Sequence, residues 1–182
     1  MTTQIVVFVG SLSKESINRK LAQAVVKLAP ADFAVEFAEI GDLPHYNRDD
    51  DAQQAGAVRR VKAQIAQADG LLFVTPEYNR SIPSVLKNVI DHGSRPYGDN
   101  SWAGKPAGIL GTSPGGIGSA IAQQHLRGIL ASQGIKVLAQ PDAYLQFRDG
   151  LLTDDGQVGE GSRAFLQAWV DAFAQWVLAH KA

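Results

Sequence analysis

Short runs of consecutive apolar residues alternate along the chain with longer stretches in which apolar residues recur every three or four positions. The runs predict strands buried on both faces of a sheet, and the spaced pattern predicts amphipathic helices. Strands are predicted at residues 5–9, 34–40, 71–74, 107–110 and 136–138. The first helix is predicted from Ile17, and its apolar positions continue with Leu21, Val25 and Leu28. Strands are therefore expected to alternate with helices throughout the chain.

Such an alternation is typical of a parallel sheet with right-handed crossovers. For a chain of 182 residues, it predicts a single α/β domain over residues 1–182. The expected architecture is a flavodoxin-like, doubly wound, five-stranded parallel sheet of order 2-1-3-4-5 with helices on both faces. A loop is predicted around Tyr144. The last helix carries Phe165, Trp169, Phe173 and Trp176 at helical spacing, which indicates core or interface packing.

Composition limits the classes of function. The formal net charge of −1 gives no electrostatic reason to bind nucleic acid or an anionic membrane. The chain has no cysteine, which excludes thiolate zinc sites and iron–sulfur clusters, and we expect no resident metal. The sequence shows neither a membrane-length apolar run nor a signal-peptide pattern. We therefore expect a cytoplasmic protein.

The loop after the first strand has the sequence Gly10-Ser11-Leu12-Ser13-Lys14-Glu15-Ser16-Ile17-Asn18. It leads into a helix, whose N-terminus offers unpaired N–H groups and partial positive charge, and its serines add hydroxyl donors. It lacks the glycines of a nucleoside-triphosphate or dinucleotide loop, so it suits a terminal phosphomonoester such as that of FMN. The alternative is that Ser13 or Ser16 merely caps the helix.

Two further loops are predicted to reach the same edge of the sheet, because strand order reverses between strands 1 and 3. The loop after strand 3 is bounded by Pro76 and Pro83, which restrict its backbone so that peptide N–H groups could line a flat ring. Tyr78 could pack on that ring. The loop of residues 113–118 contains glycines that allow close backbone approach. The alternative for both is an ordinary turn, with Glu77 and Asn79 solvated.

Several segments of these regions resemble the NADPH-dependent FMN reductase family, most closely its chromate and quinone reductase branch. They are Gly10-Ser11-Leu12-x-Lys14-x-Ser16-x-Asn18, Thr75-Pro76-Glu77-Tyr78-Asn79-x-Ser81-x-Pro83, and Leu86-Lys87-Asn88-x-Ile90-Asp91 with Ser94-Arg95-Pro96. The resemblance extends from the first strand to about Leu145. It implies a flavodoxin-like fold, bound FMN, a homodimer or homotetramer, and NADPH or NADH as donor. The acceptors that it implies are quinones, flavins, azo dyes or oxidised metal ions such as chromate.

The resemblance also implies roles for individual residues. Phosphate contacts are expected from Ser11, Ser16 and Asn18. Ring contacts are expected from Pro76, Glu77, Tyr78, Asn79, Ser113 and Gly116. The expected cofactor site further includes Ser13, Ile17 and Gly115, and the residues that could meet NADPH phosphates are Arg80 and Arg95. Many members have arginine at the position of Ser13, so one charge-assisted phosphate contact is expected to be missing unless Lys14 or Arg19 replaces it.

The mechanism expected from this resemblance is two-electron, ping-pong reduction, because the cofactor carries the redox chemistry and the protein supplies position and electrostatics. No side chain is required as acid or base, and His92 and His125 are expected to be structural. The main alternative is a non-enzymatic FMN electron carrier of the flavodoxin type, and a third is a regulatory nucleotide-binding module. One-electron carriers are usually strongly acidic, and this chain is nearly neutral, which favours the enzyme.

Overall fold

The computed structural model of the protein describes residues 2–181. The strands are β1 (Thr3–Val9), β2 (Phe33–Phe37), β3 (Gly70–Val74), β4 (Pro106–Ser113), β5 (Lys136–Val137) and β6 (Tyr144–Gln146). The α-helices are α1 (Ile17–Val26), α2 (Gly56–Gln67), α3 (Ser84–Gly93), α4 (Ala120–Ser132) and α5 (Glu160–His180). A short 3₁₀ helix, Arg48–Gln53, precedes α2. None of the helices within residues 2–181 has the length and apolar character that crossing a bilayer requires.

The strands form a parallel sheet of order β2-β1-β3-β4-β5. The predicted order and the predicted flavodoxin-like fold class are therefore confirmed. The predicted second strand extends too far, since Ala38 and Ile40 are buried but lie beyond the ladder to β1. The β1–β2 register runs only from Thr3↔Phe33 to Val7↔Phe37.

The prediction of a loop around Tyr144 was wrong, because residues 144–146 form a sixth strand that pairs with β4. The β4 strand is long enough to pair with β5 at Pro106 and Ala107 and with β6 at Gly111 to Ser113. Backbone groups at the far end of β4 thus gain partners that β5 is too short to supply. A three-residue strand is too short for its hydrophobic periodicity to be visible in the sequence.

The core has two layers, one on each face of the sheet. Alternate residues of β1 enter opposite layers, as side-chain alternation in a strand requires, with Val7 in one layer and Phe8 in the other. Helices α1 and α5 cover the first layer, and α2, α3 and α4 cover the second. The aromatic stripe of α5 lies mostly in the core, since Trp169 and Phe173 are buried and stacked with ring centroids 5.6 Å apart.

Candidate functional site

A cavity of about 230 Å³ lies at the carboxyl ends of the parallel strands and is lined by the loops that follow β1, β3 and β4. We call it the carboxyl-edge pocket. The predicted cofactor residues that line it are Ser11, Ser13, Ser16, Ile17, Asn18, Pro76, Glu77, Tyr78 and Ser113. Three lining residues were not among the predicted ones, namely Glu15, Thr112 and Pro114. The loops meet here because the register aligns Val9 with Val74 and Val74 with Leu110.

The first loop ends at the N-terminus of α1. Ser16 is the N-cap of α1, and its Oγ accepts a hydrogen bond from the Arg19 N–H at 3.2 Å. The capping alternative is thus realised for Ser16, yet its hydroxyl proton is still available as a donor. Among the described residues, no acceptor is bound by the amides of Ile17 and Asn18. Free amides at a helix N-terminus favour an anion at this position.

Asn18 connects the start of α1 to the end of β4. Its side chain is almost fully buried and exchanges two hydrogen bonds with the backbone of Thr112. Asn18 Nδ2 donates to the Thr112 carbonyl at 2.9 Å, and the Thr112 N–H donates to Asn18 Oδ1 at 3.0 Å. The side chain is therefore committed to holding α1 against the end of β4. The part of Asn18 that is left to contact an anion is its backbone amide.

The charges around the first loop are partly paired. Glu15 lines the pocket, and Lys20 Nζ lies 2.7 Å from its carboxylate. The hydrogen bond from Lys20 holds the pKa of the Glu15 carboxyl below its ordinary value. Within residues 2–181, the cations next to this pair that form no ion pair are Lys14 and Arg19.

The second loop is a tight two-residue turn. The backbones of Tyr78 and Ser81 exchange two hydrogen bonds of 3.0 Å each, so Asn79 and Arg80 form the tip. Both tip residues have positive φ, 49° and 63°, as in the type I′ turns of hairpins. Neither tip residue lines the pocket. Tyr78 is half exposed, and its Oη lies 3.4 Å from Ser11 Oγ, which joins the first and second loops.

The alternative in which Glu77 is solvated is wrong. Its side chain is only 6% exposed, and Oε2 accepts hydrogen bonds from the N–H groups of Ile121 and Ala122 at 3.0 and 3.2 Å. Its Oε1 accepts a hydrogen bond from Arg80 at 3.0 Å. The carboxylate is therefore committed to the start of α4. A ring contact from Glu77 would have to come from its backbone.

In the third loop, Ser113 Oγ accepts a hydrogen bond from the Gly115 N–H at 3.0 Å. Neither Gly115 nor Gly116 lines the pocket, and a Cβ added at Gly116 would meet nothing within 4 Å. The glycine that the backbone requires is Gly118, which has a φ of 60° and would place a Cβ 2.6 Å from Leu145 N. The sequence could not separate these glycines, since the discriminating neighbour comes from β6.

The histidines form hydrogen bonds outside the pocket. His92 Nε2 lies 2.8 Å from the Pro44 carbonyl oxygen, and His125 Nδ1 lies 3.0 Å from Ser81 Oγ. Neither ring lines the pocket.

The model of the NADPH-dependent FMN reductase family matches residues 3–149. The chain belongs to this family. It is accordingly an oxidoreductase that works with FMN and NAD(P)H, so the predicted family, enzyme class and cofactors are confirmed.

Several relatives are similar to this chain over nearly their whole length. A 2-hydroxy-1,4-benzoquinone reductase from Burkholderia sp is 49% identical over 178 residues, which is 97% of each chain. A quinone reductase from Pseudomonas putida is 46% identical and covers 98% of this chain and 96% of its own. The solved structure of the flavoenzyme FerB, an NAD(P)H:(acceptor) oxidoreductase from Paracoccus denitrificans, is 45% identical in sequence with a TM-score of 0.96 and full coverage of both chains.

The residues of the carboxyl-edge pocket fit FMN. The free amides of Ile17 and Asn18, together with the buried hydroxyls of Ser11 and Ser16, provide the donors that a phosphomonoester accepts. Pro76 and Tyr78 line the same cavity and could meet a flat ring.

The two arginines predicted to meet NADPH lie in different places. Arg80 is at the tip of the second loop beside the pocket, and its side chain is 68% exposed. Arg95 follows α3 and lines another cavity, with Tyr46 and Tyr97. Ten residues of helix separate the pocket end of α3 from Arg95, a rise of about 15 Å. The structure therefore brings only Arg80 close to the carboxyl-edge pocket.

Proposed function

We propose that the protein reduces quinones with electrons from NADPH or NADH, through FMN held in the carboxyl-edge pocket. The observation that carries this proposal is the set of donors at the start of α1, where the Ile17 and Asn18 amides have no acceptor within residues 2–181 and the Ser16 hydroxyl is buried. The names of the quinone reductase relatives support the choice of acceptor. Flavins, azo compounds and metal oxyanions such as chromate are further acceptors in this proposal.

In this proposal the phosphate of FMN lies at the first loop, against Ser11, Ser13, Ser16, Ile17 and Asn18. The flavin ring lies against the second and third loops, whose expected contacts are Pro76, Glu77, Tyr78, Asn79, Ser113, Gly115 and Gly116. When bound, FMN supplies the two-electron redox chemistry between nucleotide and quinone. The protein residues bind FMN, orient its ring and shield it from solvent. No side chain is assigned the role of acid or base.

Nucleotide and quinone are proposed to bind in turn at the entrance of the carboxyl-edge pocket, here called its mouth. The half-exposed ring of Tyr78 lines this pocket, and use of one pocket of about 230 Å³ by both molecules favours ping-pong kinetics. Arg80 beside the mouth is proposed to contact the nucleotide phosphates. A contact from Arg95 requires that the extended nucleotide run along α3 towards the cavity that Arg95 lines.

We also propose that the protein is a homodimer or homotetramer. Exposed apolar side chains of Leu12, Tyr78 and Ile117 on the three pocket loops support an assembly in which a second copy covers part of the mouth. Sedimentation that finds a stable monomer of 19.5 kDa at micromolar concentration would overturn this assembly. A single domain over residues 1–182 is supported by the packing of α5 against the sheet core. A cytoplasmic location is supported by the donor, which cells hold in the cytoplasm.

Nucleotide oxidation by purified protein tests the activity. The FMN-loaded protein is mixed with NADPH or NADH, with and without a benzoquinone, and nucleotide absorbance is followed. We expect oxidation that depends on both FMN and quinone, with parallel lines in double-reciprocal plots. Tight FMN binding without oxidation of either nucleotide would contradict the reductase and support the electron carrier.

A further inference from the structure

The N-terminus of α4 is capped by a residue from a different loop. Ser119 precedes this helix, and serine is among the preferred N-cap residues, but its side chain makes no capping hydrogen bond. Its backbone is left-handed, with φ 67° and ψ 19°, and its side chain is fully buried. Ser119 Oγ accepts a hydrogen bond from Gln123 Nε2 at 3.0 Å instead. The first amides of α4 therefore need another acceptor.

Glu77 supplies that acceptor. Its Oε2 takes hydrogen bonds from Ile121 and Ala122 at 3.0 and 3.2 Å, while its Oε1 pairs with Arg80 at 3.0 Å. A carboxylate that is 6% exposed is tolerated because both oxygens are hydrogen-bonded and because the positive end of the helix dipole faces it. The carboxylate thus connects the second loop to the helix into which the third loop leads.

We infer that Glu77 is a positioning residue for the flavin ring, an inference that rests on the proposed FMN site. Its neighbours Pro76 and Tyr78 line the carboxyl-edge pocket, and so do Ser113 and Pro114 of the third loop. The hydrogen bonds from α4 to Glu77 set the position of one pair relative to the other. The first loop is held mainly through the hydrogen bonds of Asn18 to Thr112 at the end of β4, and it contacts the second loop through the longer 3.4 Å approach of Tyr78 Oη to Ser11 Oγ.

Because Glu77 and Asn18 hold different loops, we can predict which part of the cofactor loses contacts when Glu77 is substituted. A ring seated between the second and third loops loses affinity when these loops can move apart, and small displacements of positioning groups have large effects. The phosphate at the first loop keeps its contacts. FMN and riboflavin, which share the ring, should therefore lose affinity by the same factor, whereas a change at Ser16 should affect FMN alone.

The conservative variants Glu77→Asp and Glu77→Gln distinguish the effect of side-chain length from the effect of charge. Asp keeps the charge but is one methylene too short to reach the α4 amides. Gln keeps an acceptor oxygen at the same distance and loses the charge. We expect Glu77→Asp to weaken FMN and riboflavin equally, on the order of tenfold, and Glu77→Gln to lose less than about fivefold, the share of a partly exposed ion pair.

The experiment measures the affinity of the flavin-free protein for FMN and for riboflavin by fluorescence titration. The visible circular dichroism of the bound ring at saturation is the second measurement. Asp42→Asn is the matched control, because it removes a carboxylate paired with Arg60 away from the pocket. The control should keep both affinities, and only Glu77→Asp should change the dichroism of the ring. A general loss of stability would lower the melting temperature without changing that signal at saturation.

Three results would overturn the inference while leaving the proposed function intact. They are unchanged affinities in Glu77→Asp, a loss confined to FMN, and a larger loss in Glu77→Gln than in Glu77→Asp. Should Glu77→Asp not fold, Glu77→Gln decides, since a loss above about fivefold or an altered FMN-to-riboflavin ratio contradicts the capping role. Wild-type protein that binds neither flavin would instead refute the proposed function itself.

Discussion

The carboxyl-edge pocket can be compared with a second cavity of almost the same size, about 210 Å³ against about 230 Å³. The second cavity, here the Tyr46 cavity, lies under the loop between β2 and α2 and is lined by Pro44, Tyr46, Asp50, Asp51 and His92 among others. Each cavity lies at the start of a helix, α1 in one case and α2 in the other. Neither volume nor a helix N-terminus therefore distinguishes them.

The two cavities differ in their polar groups. Beside the Tyr46 cavity, Asn88 binds the Tyr46 N–H and the Pro44 carbonyl, each at 2.8 Å. The start of α2 has no side-chain cap, and the nearby carboxylates of Asp50 and Asp51 would repel an anion.

In the carboxyl-edge pocket, side chains tie separate segments together, and serine hydroxyls line the cavity at the start of α1. Asn18 joins the first loop to the end of β4, and Glu77 joins the second loop to α4. The amides of Ile17 and Asn18 have no protein acceptor within the described residues. Because α1 and α2 both begin with amides that have no acceptor among the described residues, the comparison teaches that nearby hydroxyl donors, rather than nearby aspartates, favour an anion. Four predictions test it, in order of decreasing effect.

The largest effect is expected from Asn18→Ala. The substitution leaves the buried N–H and C=O of Thr112 without partners, which should lower the free energy of unfolding by about 2–4 kcal/mol. FMN affinity should fall as well, because α1 loses its attachment to β4. Urea unfolding and FMN titration measure the two effects.

The matched control is Asn88→Ala, which also removes two hydrogen bonds to backbone groups, but at the half-buried rim of the Tyr46 cavity. Water can replace these partners, so the loss should be about 1 kcal/mol or less, with no change in FMN affinity. Equal losses in the two variants would contradict the proposed difference between the cavities.

The second prediction concerns Ser16→Ala. Losing the hydroxyl donor to a buried phosphate oxygen should reduce the preference for FMN over riboflavin by about 1–3 kcal/mol. Losing the cap of α1 should also lower the free energy of unfolding by about 1 kcal/mol. Titrations with both flavins give the ratio. Asn47→Ala is the control, because Asn47 caps the 3₁₀ helix at the Tyr46 cavity, and its flavin ratio should equal that of the wild type.

The third prediction concerns Arg80→Ala. If Arg80 contacts NADPH from its exposed position, the KM for NADPH should rise about two- to fivefold, with little change in kcat. Arg95→Ala should raise it less, because only the far end of the nucleotide could reach the cavity that Arg95 lines. Steady-state kinetics with a benzoquinone measure both. A larger effect at Arg95 would show that nucleotide recognition centres on the side of α3 instead.

The smallest effect is expected from Asp42→Asn. A hydrogen bond from Arg60 holds the pKa of the Asp42 carboxyl below its ordinary value. A lowered folded-state pKa stabilises the protein above the pKa of free aspartate, and this contribution disappears as pH falls through the folded-state value. Because the pair is exposed, the variant should lose less than about 1 kcal/mol at neutral pH. Urea unfolding should show this difference vanishing in acid; a difference that grows in acid would contradict the assignment.

The sequence by itself determined the sheet order, the two-sided core and the loops that form the pocket. These features follow from local patterns, since apolar runs predict buried strands and parallel strands with crossover helices allow few topologies. The serine-rich first loop and the prolines at 76 and 83 were visible for the same reason. Their chemistry lies in adjacent residues of one segment.

Only the tertiary structure decided which partner each polar side chain takes. Asn18 and Thr112 are 94 residues apart, and Glu77 and Ile121 are 44 apart, so no local pattern could show that Asn18 holds α1 or that Glu77 caps α4. The strand β6 was missed because its three residues pair only with an end of β4 that β5 leaves open. Contacts between distant segments depend on how the packed layers bring them together, and that arrangement exists only in the folded chain.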